Sequence, residues 1–165
     1  MTIKQKIAIW SAGLLCSTFI SCNETACPLN NTVMAQFNFY RMSEGGTEAI
    51  QLLDTLTVTA VGTDSVLINR DVSAQGIQIP LSYARPTDTL SLRYANDNGR
   101  VVYDTLIITK ESYQQFEAPE CPTVTFHQIK AIRSTHRYID TVQIVNPNID
   151  YNATENFKIV FYTTE

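Results

Sequence analysis

Cys22 stands at the end of a segment whose residues could direct both export and lipid attachment. Two lysines among the first six residues form a basic start, an apolar run over residues 7–20 follows, and Ser21 places a small residue directly before the cysteine. This order is the plan of a secretory signal, and the run is too short for the ~20 residues that cross a bilayer. The pattern predicts a signal peptide over residues 1–21 and acylation of the Cys22 thiol, with residues 22–30 as anchor and short tether.

The other cysteines predict a disulfide. Cys16 leaves with the signal and acylation occupies Cys22, so that Cys27 and Cys121 remain in the mature chain. An exported chain meets an oxidising compartment, in which two such thiols pair. Closing a loop of that length stabilises a fold by roughly 4 kcal/mol. Two alternatives stay open: both thiols are buried and reduced, or an ordinary signal is cut nearby and leaves Cys22 as an odd thiol.

A tripeptide of aspartate, a hydroxyl residue and an aliphatic residue recurs five times. Its hydroxyl residues are Thr55, Ser65, Thr89, Thr105 and Thr141. One interpretation is that the aspartate closes a turn and the next two residues begin a strand. This interpretation suits every site except Asp104, because Asp104 lies inside a predicted strand. The tripeptide also looks like the acceptor motif for O-glycosylation of exported proteins in Bacteroidota, which implies sugar attachment at one or more of these hydroxyls.

Two cysteines and two histidines could together form a zinc site. They are Cys27, Cys121, His127 and His136. The short spacing that zinc ligands usually show is absent, and export favours the disulfide instead. We therefore expect neither a zinc ion nor a catalytic cysteine.

The segment over residues 146–156 presents oxygen-bearing side chains at alternate positions. They are Asn146, Asn148, Asp150 and Asn152, with Glu155 following. Such oxygens can surround calcium, but the segment lacks the central glycine of sharp calcium loops and has only two carboxylates. The alternative is a polar loop whose side chains bond their own backbone. We keep these residues as weak calcium candidates and expect no metal or other cofactor.

Signatures of catalysis and of nucleic-acid binding are absent from the sequence. It has no Gly-x-Ser-x-Gly elbow, no His-Glu-x-x-His pair and no phosphate-binding glycine loop. Removing Lys4 and Lys6 with the signal changes the net charge from −4 to about −6, without the basic cluster that nucleic acid requires. We therefore predict a non-enzymatic binding or assembly module. The alternatives are a hydrolase that uses Asp150 and Glu155, and a structural or pilus-type subunit.

The elements that must position these residues are almost all β-strands. Apolar residues alternate with polar ones from Val33 to Phe39, and this period of two recurs along the chain. Asn98-Gly99, between two alternating runs, predicts a hairpin. About nine short strands without helical crossovers predict one all-β domain over residues 31–165, an antiparallel immunoglobulin-like β-sandwich. A closed β-barrel is the alternative.

Three local predictions accompany this fold. Residues 47–53 have the only helical pattern of the mature chain. Pro80 removes a backbone donor, so its strand should lie at an edge or a bulge. Residues 101–109 and 113–117 are predicted as two separate strands.

These residues together resemble a family of small Bacteroidota lipoproteins of unknown function. The likeness rests on Cys22, Cys27, Ile79-Pro80-Leu81, Pro119-Glu120-Cys121 and the C-terminal part from Ile139 to Phe157. The resemblance implies an outer-membrane lipoprotein that faces the periplasm or the cell surface, and it implies no activity. The expected partners are the membrane, through the N-terminal lipid, and a protein of the envelope.

Overall fold

The structure is a computed structural model that describes Cys27 and residues 32–63, 65–116 and 118–162. The predicted signal and Cys22 lie outside these residues. Within the described ranges, no helix is long and apolar enough to cross a membrane. The strands there are β1 (Met34–Ser43), β2 (Gly46–Ala49), β3 (Thr55–Ala60), β4 (Val66–Asp71), β5 (Gly76–Pro80), β6 (Thr87–Ala95), β7 (Val101–Gln115), β8 (Val124–Ser134), β9 (Ile139–Ile144), β10 (Asn148–Ile149) and β11 (Phe157–Phe161).

The strands form two sheets around one apolar core, which confirms the prediction of an all-β sandwich. The six-stranded sheet has the order β10-β8-β7-β6-β3-β4, and all its ladders are antiparallel. The five-stranded sheet has the order β2-β1-β11-β9, with β5 also paired to β1. Among the described strands, β10 and β4 end one sheet and β2 and β9 end the other, so the fold is a sandwich rather than a closed barrel.

Period-two alternation builds the core between the sheets. Phe37 of β1 is fully buried and stacks on Phe157 of β11, with ring centroids 4.4 Å apart. Tyr94 of β6 meets Phe161 of β11 edge to face at 5.7 Å, so aromatic rings from the two sheets interlock. Burying one such ring stabilises a fold by roughly 1.5–3 kcal/mol. These inward positions are the apolar half of the alternation seen in the sequence.

Three expectations about single elements are wrong. β1 and β11 pair in parallel, which joins the first and last described strands and departs from a purely antiparallel fold. Residues 47–53 form no helix, because residues 46–49 pair with β1 as strand β2. The two strands expected over residues 101–117 are one strand, β7, since β6 pairs with its first part and β8 with its second.

Two other local expectations are confirmed. Asn98-Gly99 turns the chain between β6 and β7, with Gly99 at a φ of 80°. Asn96 Oδ1 accepts hydrogen bonds from the amides of Asn98 and Arg100, which closes the turn. Pro80 ends β5, a strand whose only partner in the described chain is β1, so that the missing donor falls at an edge.

Asp104 of β7 holds the corner at which the chain leaves β8 in one sheet for β9 in the other. Its side chain is fully buried, and its Oδ1 accepts hydrogen bonds from Thr135 Oγ1 at 2.7 Å and Arg137 N at 2.8 Å. Its Oδ2 accepts from the amides of Tyr138 at 2.7 Å and Ile139 at 2.9 Å. A buried donor without a partner costs about 1–3 kcal/mol, so this carboxylate stabilises the crossing.

Asn156 holds a second crossing in the same manner. It is 2% exposed, and its Oδ1 accepts from the amide of Gln36 at 3.0 Å. Its Nδ2 donates to the carbonyls of Asn146 and Asn148, which flank the passage from β9 to β10. Asn156 thus ties this passage to the first strand of the sandwich.

We predict that Asp104→Asn destabilises the protein by about 3 kcal/mol, because an amide has one acceptor oxygen and its NH₂ group faces two of the four donors. Burial alone would raise the pKa of Asp104, but the hydrogen bonds from Thr135 and the three amides hold it below its ordinary value. The stabilisation is therefore complete above the unfolded pKa of about 3.9 and is lost as the pH falls through the lower folded pKa.

Urea unfolding at pH 7 and pH 3 measures this effect. The free energy of unfolding of the native protein should fall more between these two pH values than that of Asp104→Asn. Asp71→Asn removes an exposed carboxylate and serves as the control. Equal acid sensitivity of native protein and Asp104→Asn would contradict the prediction.

Candidate functional site

A depression of about 470 Å³ opens on the outer face of the five-stranded sheet. Its polar lining comes from β1, from β5 and from the residue before β5. These lining residues are Gln36, Asn38, Tyr40, Gln75 and Gln78, with Gly76 among them. The three β1 residues alternate with buried Phe37 and Phe39, so the alternation that builds the core also directs these side chains outward.

The depression forms where two strands share one edge of β1. β5 pairs with β1 as far as Asn38, and β2 pairs with it from Tyr40 onward. Between them, the Phe39 amide donates to the Gln75 carbonyl at 3.0 Å, so the backbone of β1 is satisfied across the gap. The junction therefore leaves space without leaving an unpaired edge.

Gly76 keeps this space open. It lies opposite Asn38 in the ladder, and a Cβ atom there would collide with the backbone oxygen of Phe37. The same atom would lie 2.9 Å from Asn38 Oδ1. A side chain at this position is therefore excluded by the close approach of two backbones.

Amide groups give the depression its chemistry. Gln78 Nε2 donates to Gln36 Oε1 at 3.4 Å, and Gln36 Nε2 donates to Asn38 Oδ1 at 3.4 Å. Each primary amide carries two N–H donors and a carbonyl acceptor. These two long bonds therefore use only part of the hydrogen-bonding capacity of the three amide side chains. The lining contains no carboxylate, imidazole or thiol. The arrangement offers hydrogen-bond donors and acceptors side by side along one wall of the depression.

Tyr40 forms the aromatic rim of the depression. Lys158 Nζ lies 4.5 Å from its ring centroid, a cation–π contact on an outer surface. The pKa of Tyr40 is raised by its hydrogen bond to Glu155 and, to a smaller extent, by burial. Glu155 Oε1 is buried and has no hydrogen-bond partner among the described residues. The ring is therefore held between a cation on its face and a carboxylate at its hydroxyl.

A second polar cluster lies on β6, β7 and β8. Lys110 is 2% exposed, pairs with Asp88 at 2.7 Å and donates to the Arg85 carbonyl at 2.7 Å. Close by, His127 Nδ1 and Ser112 Oγ are 2.9 Å apart. Burial, aided by the charge of Lys110, lowers the pKa of His127 to about 4. Such a histidine is a weak base at neutral pH, so its contact with Ser112 lacks the proton affinity of a nucleophile–base pair.

We predict that Lys110→Met destabilises the protein by about 3–5 kcal/mol, because it leaves the Asp88 carboxylate buried without its cation. The double variant Lys110→Met with Asp88→Leu should recover much of this loss, since neither charge then remains inside. Thermal and urea unfolding measure both effects. A double variant that is no more stable than Lys110→Met would contradict the ion-pair interpretation.

The predicted disulfide is present between Cys27 and Cys121, whose Cα atoms are 5.4 Å apart. Both thiols are therefore unavailable as zinc ligands. His127 is bonded to Ser112 and His136 to the Asp140 carbonyl, so the four proposed zinc ligands are not assembled. Within the described residues, no group of three or more His, Cys, Asp and Glu side chains is placed to hold a metal ion.

The oxygen-rich loop over residues 146–156 is bonded largely to itself. Asn146 Oδ1 accepts from the Asn148 amide at 3.0 Å, and Asp150 Oδ1 accepts from the Asn152 amide at 2.7 Å. These are the backbone contacts of the alternative interpretation of the loop. Glu155 instead interacts with the hydroxyl group of Tyr40.

The proposed O-glycosylation residues all have at least partly accessible side chains. Ser65 is exposed, and the four threonines 55, 89, 105 and 141 are half-buried. The turn interpretation of the tripeptide fits Asp54, which precedes β3, but it is wrong for Asp88 and Asp140, which lie inside strands; Asp104 lies inside β7, as expected. In β6 and β7 the aspartate and the aliphatic residue point into the core, which turns the threonine between them outward. Sugar attachment itself stays a prediction.

Sequence reasoning missed the residues that shape the depression. The sequence shows only that the outward half of one strand contains Gln36, Asn38 and Tyr40. The residues that complete the lining of the depression come from a distant segment. Lys110 had a local signal, since it continues the inward series of Leu106 and Ile108. Among the tyrosines of the mature chain, Tyr83 and Tyr103 are exposed, whereas Tyr94 is 1% exposed.

Comparison with known proteins places the chain in one family. No curated protein and no solved structure matches it. Its Bacteroidota origin and its lipid anchor stay predictions of the sequence. The profile of DUF6452, a family of unknown function, matches residues 55–161, which include every strand from β3 to β11, and the chain therefore belongs to that family.

Proposed function

We propose that this protein is a lipid-anchored, non-enzymatic binding module of the cell envelope, held in the outer membrane through acylated Cys22. The observation that carries the binding role is the amide-lined depression with Tyr40 at its rim. The Cys27–Cys121 disulfide supports export, because such bonds persist in oxidising compartments. It also uses two of the three mature cysteines, which leaves Cys22 for acylation.

The chemistry of the depression favours a neutral ligand rich in hydroxyl groups, such as an oligosaccharide. Neighbouring amides can each donate to and accept from the same pair of adjacent hydroxyls. An aromatic ring such as Tyr40 offers an apolar face with a polar tip, against which a sugar ring can pack. The volume of about 470 Å³ lies within the range of small-molecule sites. A lining without charged side chains favours a neutral ligand over an ionic one.

The hydrolase alternative has weaker support. Its two carboxylates have other contacts, since Asp150 Oδ1 accepts from the Asn152 amide and Glu155 bonds to Tyr40. The Ser112–His127 contact involves a histidine whose pKa is about 4. The Ser112–His127 pair therefore contains only a weak base at neutral pH.

We predict that Asn38→Ala weakens oligosaccharide binding by at least tenfold, because it removes the amide at the centre of the depression. The matched control is Gln143→Ala. Lys158 of β11 is the ladder partner of both Asn38 and Gln143. Gln143 is therefore an exposed amide on the same face of the sheet, two strands away from Asn38. Titration calorimetry of the detergent-solubilised chain against a panel of neutral and acidic oligosaccharides measures the affinity. Equal losses in the two variants, or no binding to any sugar, would refute the assigned site.

We predict that mass spectrometry of the envelope fraction finds the mature N-terminus at Cys22 with an acyl-bearing thioether. The variant Cys22→Ser should be lost from the membrane fraction, because this substitution removes the only covalent lipid anchor that we propose. Cys16→Ser, within the predicted signal, is the control and should leave membrane attachment unchanged. A mature protein with an unmodified Cys22 thiol would refute the anchor while leaving the binding site untouched.

A further inference from the structure

Three aromatic side chains form an exposed cluster, here called the aromatic patch: Tyr113, Phe126 and Tyr151. Tyr113 and Phe126 are partners in the β7–β8 ladder, with ring centroids 6.0 Å apart. Phe126 also meets Tyr151 edge to face at 5.1 Å. Tyr113 is 48% exposed and Tyr151 is 40% exposed. Phe116, which follows β7, is 66% exposed and extends the apolar character of this end.

The N-terminal part of the described chain is fixed beside this patch at two points. The disulfide joins Cys27 to Cys121, five residues before Phe126. Thr32 forms a parallel bridge with Thr125, the residue directly before Phe126. Both contacts hold the incoming chain against the start of β8, so the end of the sandwich that carries the patch is also the end at which the chain enters.

The tether brings this end close to the proposed lipid anchor. Cys27 is five positions after Cys22, and an extended chain spans at most about 3.6 Å per residue, or roughly 18 Å over this distance. The polar headgroup layer on one side of a bilayer is about 5–8 Å thick. The short tether from Cys22 to Cys27 therefore limits the distance between the lipid and the start of β8, to which Cys121 leads.

We infer that the aromatic patch rests on the lipid surface and fixes the orientation of the sandwich on the membrane. This inference rests on the proposed acylation of Cys22. Tyrosine, with an apolar ring and a polar tip, is enriched at the level of lipid headgroups. The neighbouring charges, Glu111 and Lys130, are paired with each other at 2.9 Å. The contact between the aromatic patch and the lipid therefore depends on burial of aromatic side chains. We expect this contact to be equally strong on neutral and on anionic lipid.

Tryptophan reporters test the orientation, because the only tryptophan of the chain, Trp10, lies in the predicted signal. Tyr113→Trp and Phe116→Trp place reporters at the patch. Tyr103→Trp is the matched control: Tyr103 is 51% exposed and lies ten residues away on the same strand, about 33 Å along it. Each acylated full chain is reconstituted into phosphatidylcholine vesicles with ordinary or brominated acyl chains.

We expect brominated lipid to quench Tyr113→Trp and Phe116→Trp at least twofold and to leave Tyr103→Trp unchanged. Replacing a third of the lipid by phosphatidylglycerol should not change this result. Equal quenching of patch and control reporters, with the protein floating with the vesicles, would overturn the orientation alone. Failure to float would overturn the anchor and the inference with it. Shielding of the patch reporters only in native envelopes would assign the patch to a protein partner and overturn the lipid contact.

Discussion

The sandwich depends on satisfying the backbone donors at the corners where its chain crosses from one sheet to the other. A crossing that closes over an apolar core brings amide groups out of reach of water, and each unpaired one costs free energy. Asp104 meets this constraint at the β8–β9 corner with four hydrogen bonds. Asn156 meets the same constraint for backbone acceptors, since it donates to two carbonyls at the β9–β10 passage, and it also accepts from the Gln36 amide of β1. Two buried side chains thus hold together segments that are far apart in the sequence.

Charge inside the fold follows the same logic. Lys110 continues an inward-facing series of apolar residues on β7, yet its ammonium group is paired with Asp88 and bonded to a backbone carbonyl. Burial lowers the pKa of His127, and the charge of Lys110 lowers it further, while Asp88 partly offsets this effect. A histidine, a serine and a carboxylate therefore lie close in space, and the histidine among them is a weak base at neutral pH.

Strand β1 connects the two surfaces to which we assign roles. Just before β1, Thr32 bridges to β8 beside the aromatic patch. Further along, Gln36, Asn38 and Tyr40 line the depression. At ~3.3 Å per residue, the depression begins about 13 Å beyond the bridge. With the proposed acylation of Cys22, a ligand in this depression would lie near the lipid surface, which is consistent with the proposed binding role.

The sequence by itself determined most of the strands, the Asn98-Gly99 hairpin and the Cys27–Cys121 bond, because alternation, turn chemistry and cysteine parity are local or countable properties. Only the tertiary structure decided the parallel pairing of β1 with β11, the continuity of β7 through Lys110, and the strand state of residues 46–49. These features depend on which strand lies beside which. Gly76 illustrates this dependence. A residue with a Cβ atom is excluded there because the Phe37 backbone lies against it, and only folding brings these two residues together.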